Sequence, residues 1–93
     1  MLTIHEYPFK IADHVTLEMR AGAEILHVDK QRGQDIGWAT MWAIVDDRKP
    51  LSAHRFRVYG TGHPVDAGQR AADHLATWQD GPLVWHLFRE ATT

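Results

Sequence analysis

The sequence predicts an all-β fold: a small, single-domain antiparallel β-sandwich or partly closed barrel of about seven strands. Three observations point there. Apolar residues recur with a period of two, not 3.6, through most of the chain. Turn residues punctuate these runs at short intervals, Asp80-Gly81 being the strongest hairpin signal. The length of 93 residues, 44% of them hydrophobic, suffices for one core but not for two, so residues 1–93 form one domain.

Taken in order, Thr3–Phe9 is the first strand, and Pro8 pushes it toward a sheet edge. Val15–Met19 alternates, with Val15, Leu17 and Met19 on one face. Ala21-Gly22 forms a turn in which Gly22 supplies a positive φ. Glu24–Lys30 follows, then the polar loop Gln31-Arg32-Gly33-Gln34, so two successive antiparallel hairpins are expected here.

The longest strand is 36–45. Ile36, Trp38, Thr40, Trp42 and Ile44 fall on one face; Gly37, Ala39, Met41, Ala43 and Val45 fall on the other. Both faces are largely apolar, which predicts a central strand covered on both sides. Trp38, Trp42, Trp78 and Trp85 are expected to fill the core, each burying on the order of 200 Å².

Asp46-Asp47-Arg48-Lys49-Pro50 is a charged surface loop in which Asp46 caps a turn. His54–Gly60 alternates again. Gly60–Gln69, with three glycines and Pro64, is the longest irregular stretch and the foremost candidate for a functional loop. Ala67–Leu75 is the one helical candidate, a short turn N-capped by Asp66. Leu75–Gln79 and Leu83–Arg89 close the chain as a hairpin.

Composition excludes several function classes. Ten basic residues against twelve acidic give a net charge of −2, so no bulk positive field holds nucleic acid or anionic lipid non-specifically. No apolar run approaches the roughly 18 residues of a membrane span. The start of the sequence shows no basic segment followed by an apolar stretch, so no secretory signal is expected. The lack of cysteine removes disulfides, thiolate metal sites and cysteine nucleophiles.

Three motifs carry a resemblance. Trp42-Ala43-Ile44-Val45-Asp46 is followed by Phe56-Arg57-Val58-Tyr59-Gly60-Thr61-Gly62-His63-Pro64, and then by Gly81 with Leu83-Val84-Trp85-His86-Leu87-Phe88. This combination resembles a family of small uncharacterised proteins encoded by bacteriophages and prophages. Its pattern runs W-A-[LI]-V-D, F-R-[IV]-x-G-T-G-H-P and G-x-L-V-[FW]-H-[LV]-F. The resemblance implies a phage origin and the cytoplasm of an infected bacterial host. It supplies no activity and no catalytic residue.

The residues themselves offer one candidate ligand site. Gly60-Thr61-Gly62-His63 can expose backbone N–H groups, a hydroxyl and an imidazole to an anion. Arg57 and Tyr59 share a strand face with Arg55 just before it, adding fixed charge and an aromatic surface. The fingerprint of a dinucleotide or P-loop site is missing.

The seven histidines have no metal-ligand spacing, although late strands could gather His54, His74 and His86. Ser52, the only serine, lies outside a nucleophile elbow, and Asp46-Asp47 point to opposite sides. No catalytic site, metal or cofactor is therefore expected.

The function expected is a non-enzymatic phage accessory protein that binds a host or phage protein, for example to counter a host defence. The alternative is a module for a small anion or nucleotide, built on Arg57, Tyr59, Gly60, Thr61, Gly62 and His63. A structural role in the virion is third. Homo-oligomers through sheet edges are a further expectation.

Overall fold

A computed structural model describes residues 1–91. It contains seven strands: β1 (Leu2–Lys10), β2 (His14–Arg20), β3 (Glu24–Asp29), β4 (Trp38–Asp46), β5 (Leu51–Gly60), β6 (His74–Asp80) and β7 (Leu83–Arg89). They form two antiparallel sheets, ordered β1-β4-β3 and β2-β5-β7-β6, packed as a sandwich rather than a closed barrel. Among the described residues, helical structure is limited to a single 3-10 turn, Ala71–Asp73, within the segment expected to be helical. Gly68, with φ +88°, interrupts the run needed for anything longer.

The edges follow from local chemistry. Pro8 lies within β1, an edge strand, where its missing N–H faces no further strand. Gly81, with φ +57°, and Pro82 connect β6 to β7, with Asp80 and Leu83 paired across the turn. Gly22 is left-handed as expected (φ +77°), yet its turn is not a hairpin. It carries the chain from β2 in one sheet to β3 in the other, and β2 pairs instead with β5. Of the two hairpins read from this region, the structure forms only β3–β4.

The core lies between the sheets and is built from Phe9, Val15, Met19, Val28, Phe56, Val58, Trp78 and Leu87 together with one face of β4. That face is the small-residue one, Ala39, Met41, Ala43 and Val45, all essentially inaccessible. The assignment of the other face as core is corrected here. Trp38 is 40% exposed, and Trp42 and Ile44 are only half-buried. Small side chains let the facing sheet approach closely, and close packing selects them over indole rings. Of the four tryptophans, Trp78 is a core residue, edge-on to Phe9 with ring centroids 6.2 Å apart, and Trp85 packs at the core's margin.

A buried polar latch ties the two sheets together. Asp80, 4% exposed, accepts from Lys30 Nζ at 2.9 Å and from the Gly37 backbone N–H at 3.1 Å. The ammonium also donates to the Asp35 carbonyl at 2.7 Å. These contacts join the β6–β7 turn to the loop between β3 and β4, and the Lys30 ammonium holds the Asp80 carboxyl below the usual aspartate range.

Candidate functional site

The loop after β5 is ordered by its own side chains. Arg57 donates from Nε and Nη2 to the two carboxylate oxygens of Asp66, at 2.7 and 3.2 Å, and from Nη1 to the Asp13 carbonyl at 3.0 Å. This fork lowers the Asp66 carboxyl pKa and raises that of the guanidinium. The guanidinium also lies 4.6 Å from the centroid of the Tyr59 ring.

Tyr59 is buried on the outward face of its sheet, edge-on to Phe88, and its hydroxyl donates to Gln69. Burial raises its pKa. The His63 ring sits over Gly60, where an added Cβ would come within 2.8 Å of it. Close approach is the reason for glycine there, since the backbone at Gly60 is ordinary strand.

The six candidate ligand residues therefore fall into separate environments. Arg57, Tyr59 and His63 border one shallow depression with Asp66, whereas Gly60 and Thr61, again with His63, border another with Leu83 and Trp85. Gly62 is exposed with φ +90° and borders neither. The positive charge expected to attract an anion is already neutralised by Asp66, a loop residue nine positions on that sequence spacing gives no reason to choose.

The second surface is the outward face of the β1-β4-β3 sheet. Antiparallel register sets Ile4 beside Ile44, Glu6 beside Trp42 and Lys10 beside Trp38, while His27 of β3 stands across Trp42 on the other side. The His27 and Trp42 rings stack with centroids 6.0 Å apart. Leu2 is 67% and Ile4 59% exposed. Thr40, between the two tryptophans along β4, is fully buried and its hydroxyl has no partner.

No helix packs on this face, since the only helical element among the described residues is the short turn at Ala71–Asp73. A contiguous aromatic and aliphatic patch thus stands uncovered, rimmed by Glu6, Glu24, Asp29 and Asp46 and by Lys10 and Lys49. Alternation in the sequence marks this face as apolar; it does not say which apolar face the second sheet will cover.

The third grouping lies on the outward face of the other sheet. His74 Nε2 and His86 Nδ1 both meet the Thr77 hydroxyl, at 2.8 and 2.9 Å, and His86 Nε2 meets the Thr61 hydroxyl at 2.8 Å. His54 is not part of it; its ring contacts the Ser52 carbonyl on β5. No three His, Asp or Glu side chains converge among the described residues.

No helix among the described residues is long and apolar enough to cross a membrane. No curated protein and no solved structure matches the chain. A family profile does match, over residues 1–93, under the description "domain of unknown function (DUF7352)". The chain belongs to this DUF7352 family.

Proposed function

We propose that the domain is a non-enzymatic protein-binding module that docks its partner on the outward face of the β1-β4-β3 sheet. The observation that carries this reading is the uncovered patch of Leu2, Ile4, Trp38, Trp42 and Ile44. Aromatic and aliphatic anchors surrounded by polar residues are what protein interfaces use, and tryptophan is the side chain most enriched at their energetic centres.

The rim carries four acids, Glu6, Glu24, Asp29 and Asp46, against two bases, Lys10 and Lys49. That balance fits a partner with an apolar patch edged by Lys or Arg, and it opposes face-to-face pairing of two copies. In the setting implied by the sequence motifs, the partner is a host or phage protein in the cytoplasm of an infected bacterium, and interference with a host defence is the corresponding role. The anion-binding alternative loses its charge to the Arg57–Asp66 pair, and no feature favours a virion role.

Affinity capture with the wild-type domain, with Ile4→Lys/Trp38→Glu and with the opposite-face control Arg55→Glu tests the reading. A captured protein should be lost by the double variant and kept by the control. With that protein purified, the double variant should bind at least about 30-fold more weakly, the equivalent of one hot-spot residue of about 2 kcal/mol. Capture in which no protein depends on the patch would overturn it.

A further inference from the structure

On the face opposite the patch, we propose a divalent transition-metal site formed by His74 and His86. It belongs to the class of ion that prefers imidazole: Zn²⁺, Ni²⁺ or Cu²⁺.

The backbone brings the two rings together by an irregularity. His86 and Thr77 are direct cross-strand partners on the β7–β6 ladder. His74 stands three residues before Thr77, a spacing that in a regular strand would put the two on opposite faces. The register shift between His74 and Ala76 reverses that and returns His74 to the face of Thr77 and His86. Its ring is steadied edge-on by Phe88, with centroids 5.2 Å apart.

The two imidazoles then converge on one atom, the Thr77 hydroxyl oxygen, at 2.8 Å from His74 Nε2 and 2.9 Å from His86 Nδ1. A hydroxyl has a single proton and can donate to only one ring nitrogen. When His86 donates its Nε2–H to Thr61, its Nδ1 carries a lone pair directed at Thr77. In that tautomer, with His74 protonated at Nδ1, two lone pairs face one proton; protonation of His86 at Nδ1 instead satisfies the metal-free network, so an ion would select between the two forms. An ion between the rings would satisfy both.

The Thr61 hydroxyl holds the far side of the His86 ring, fixing its orientation, and can accept the Nε2–H of the metal-binding tautomer. For both nitrogens to lie about 2.0–2.1 Å from one ion, the Thr77 hydroxyl now between them must shift aside into a ligand position of its own, which the exposed Thr77 and His74 side chains allow. The Thr77 hydroxyl and water complete the shell.

Titration of the full chain with zinc chloride, followed by calorimetry and by the imidazole NMR signals, tests the site. One equivalent should bind, shifting the His74 and His86 signals ahead of those of the other histidines. His74→Ala and His86→Ala should each weaken binding at least tenfold, while His54→Ala should not. His74 is exposed and His54 and His86 are partly exposed, and a circular dichroism spectrum of each variant checks its fold. Magnesium, an oxygen-seeking ion, should not compete. Zinc bound equally well by the His74 and His86 variants, or no binding at millimolar zinc, would overturn the proposal.

Discussion

Replacing Asp80 by alanine should cost more than any other single polar substitution in the molecule. The carboxylate is 4% exposed and holds two donors, the Lys30 ammonium and the Gly37 N–H. Its removal leaves a partly buried backbone donor without a partner, at a cost of about 1–2 kcal/mol. It also leaves an ammonium without a counter-charge. A fully buried pair broken on one side costs about 3–5 kcal/mol, but the Lys30 side chain is 23% exposed and keeps the Asp35 carbonyl, so this share falls to about 1 kcal/mol. Together these place the loss at about 2–3 kcal/mol. For a domain of this size that lowers Tm by roughly 10–20 °C. Asp80→Asn keeps an acceptor for Gly37 and should lose about half as much.

The pH dependence follows from the lowered Asp80 pKa. The folded state binds the proton less tightly than the unfolded state. The stabilisation is therefore present above the unfolded aspartate value of about 4 and is lost as pH falls through the lower folded value. Urea unfolding at pH 7 and at pH 3 reads both effects, and the gap between wild type and Asp80→Ala should narrow at pH 3. A loss below about 0.5 kcal/mol at pH 7 would refute the latch, because that is the range of ordinary surface substitutions.

The remaining predictions concern neighbouring positions with opposite surroundings. Met41→Ala, in the sealed core, should destabilise by about 2–5 kcal/mol in urea. Trp42→Ala, one residue on but half-exposed, should cost less than the roughly 3–5 kcal/mol of a core tryptophan; the reverse ranking would mean that the tryptophan face is the core. Gly60→Ala should cost about 1 kcal/mol, because the overlapped group is the end of the exposed His63 side chain, which can swing away, and the Trp85 ring, 3.3 Å from the added Cβ, need give only a few tenths of an ångström. Unfolding at room temperature in that variant would show the loop to be rigidly packed.

Much of the fold was legible because it rests on local rules. Alternation located the strands, Pro8 marked an edge, and Asp80-Gly81 fixed the last hairpin. Pairing was not legible where a turn changes sheets. Ala21-Gly22 looks alike whether the chain returns along the same sheet or crosses to the other, and the choice depends on where β5 lies.

The core face of β4 is not legible in the sequence for a related reason. Size favours tryptophan as filler, but the distance between sheets favours alanine and methionine, and that distance is a tertiary quantity. At the loop, the sequence showed the flexible glycines and the nearby arginine. It did not show Asp66 closing on Arg57, a contact made by the path of the loop. The His74–Thr77–His86 cluster was hidden behind a one-residue register shift that no spacing rule anticipates.

The four tryptophans provide the most direct measurement of the docking surface, since each indole N–H gives its own signal in a nitrogen–proton NMR spectrum. On titration with the purified partner, the account predicts that Trp38 and Trp42, on the uncovered face, shift or broaden. Trp78, in the core, and Trp85, at its margin beside Gly60 and Thr61, should hold their positions. Unmoved Trp38 and Trp42 signals, with changes at Trp85 and the Thr61–His63 segment instead, would contradict the account and place the binding surface at the loop after β5.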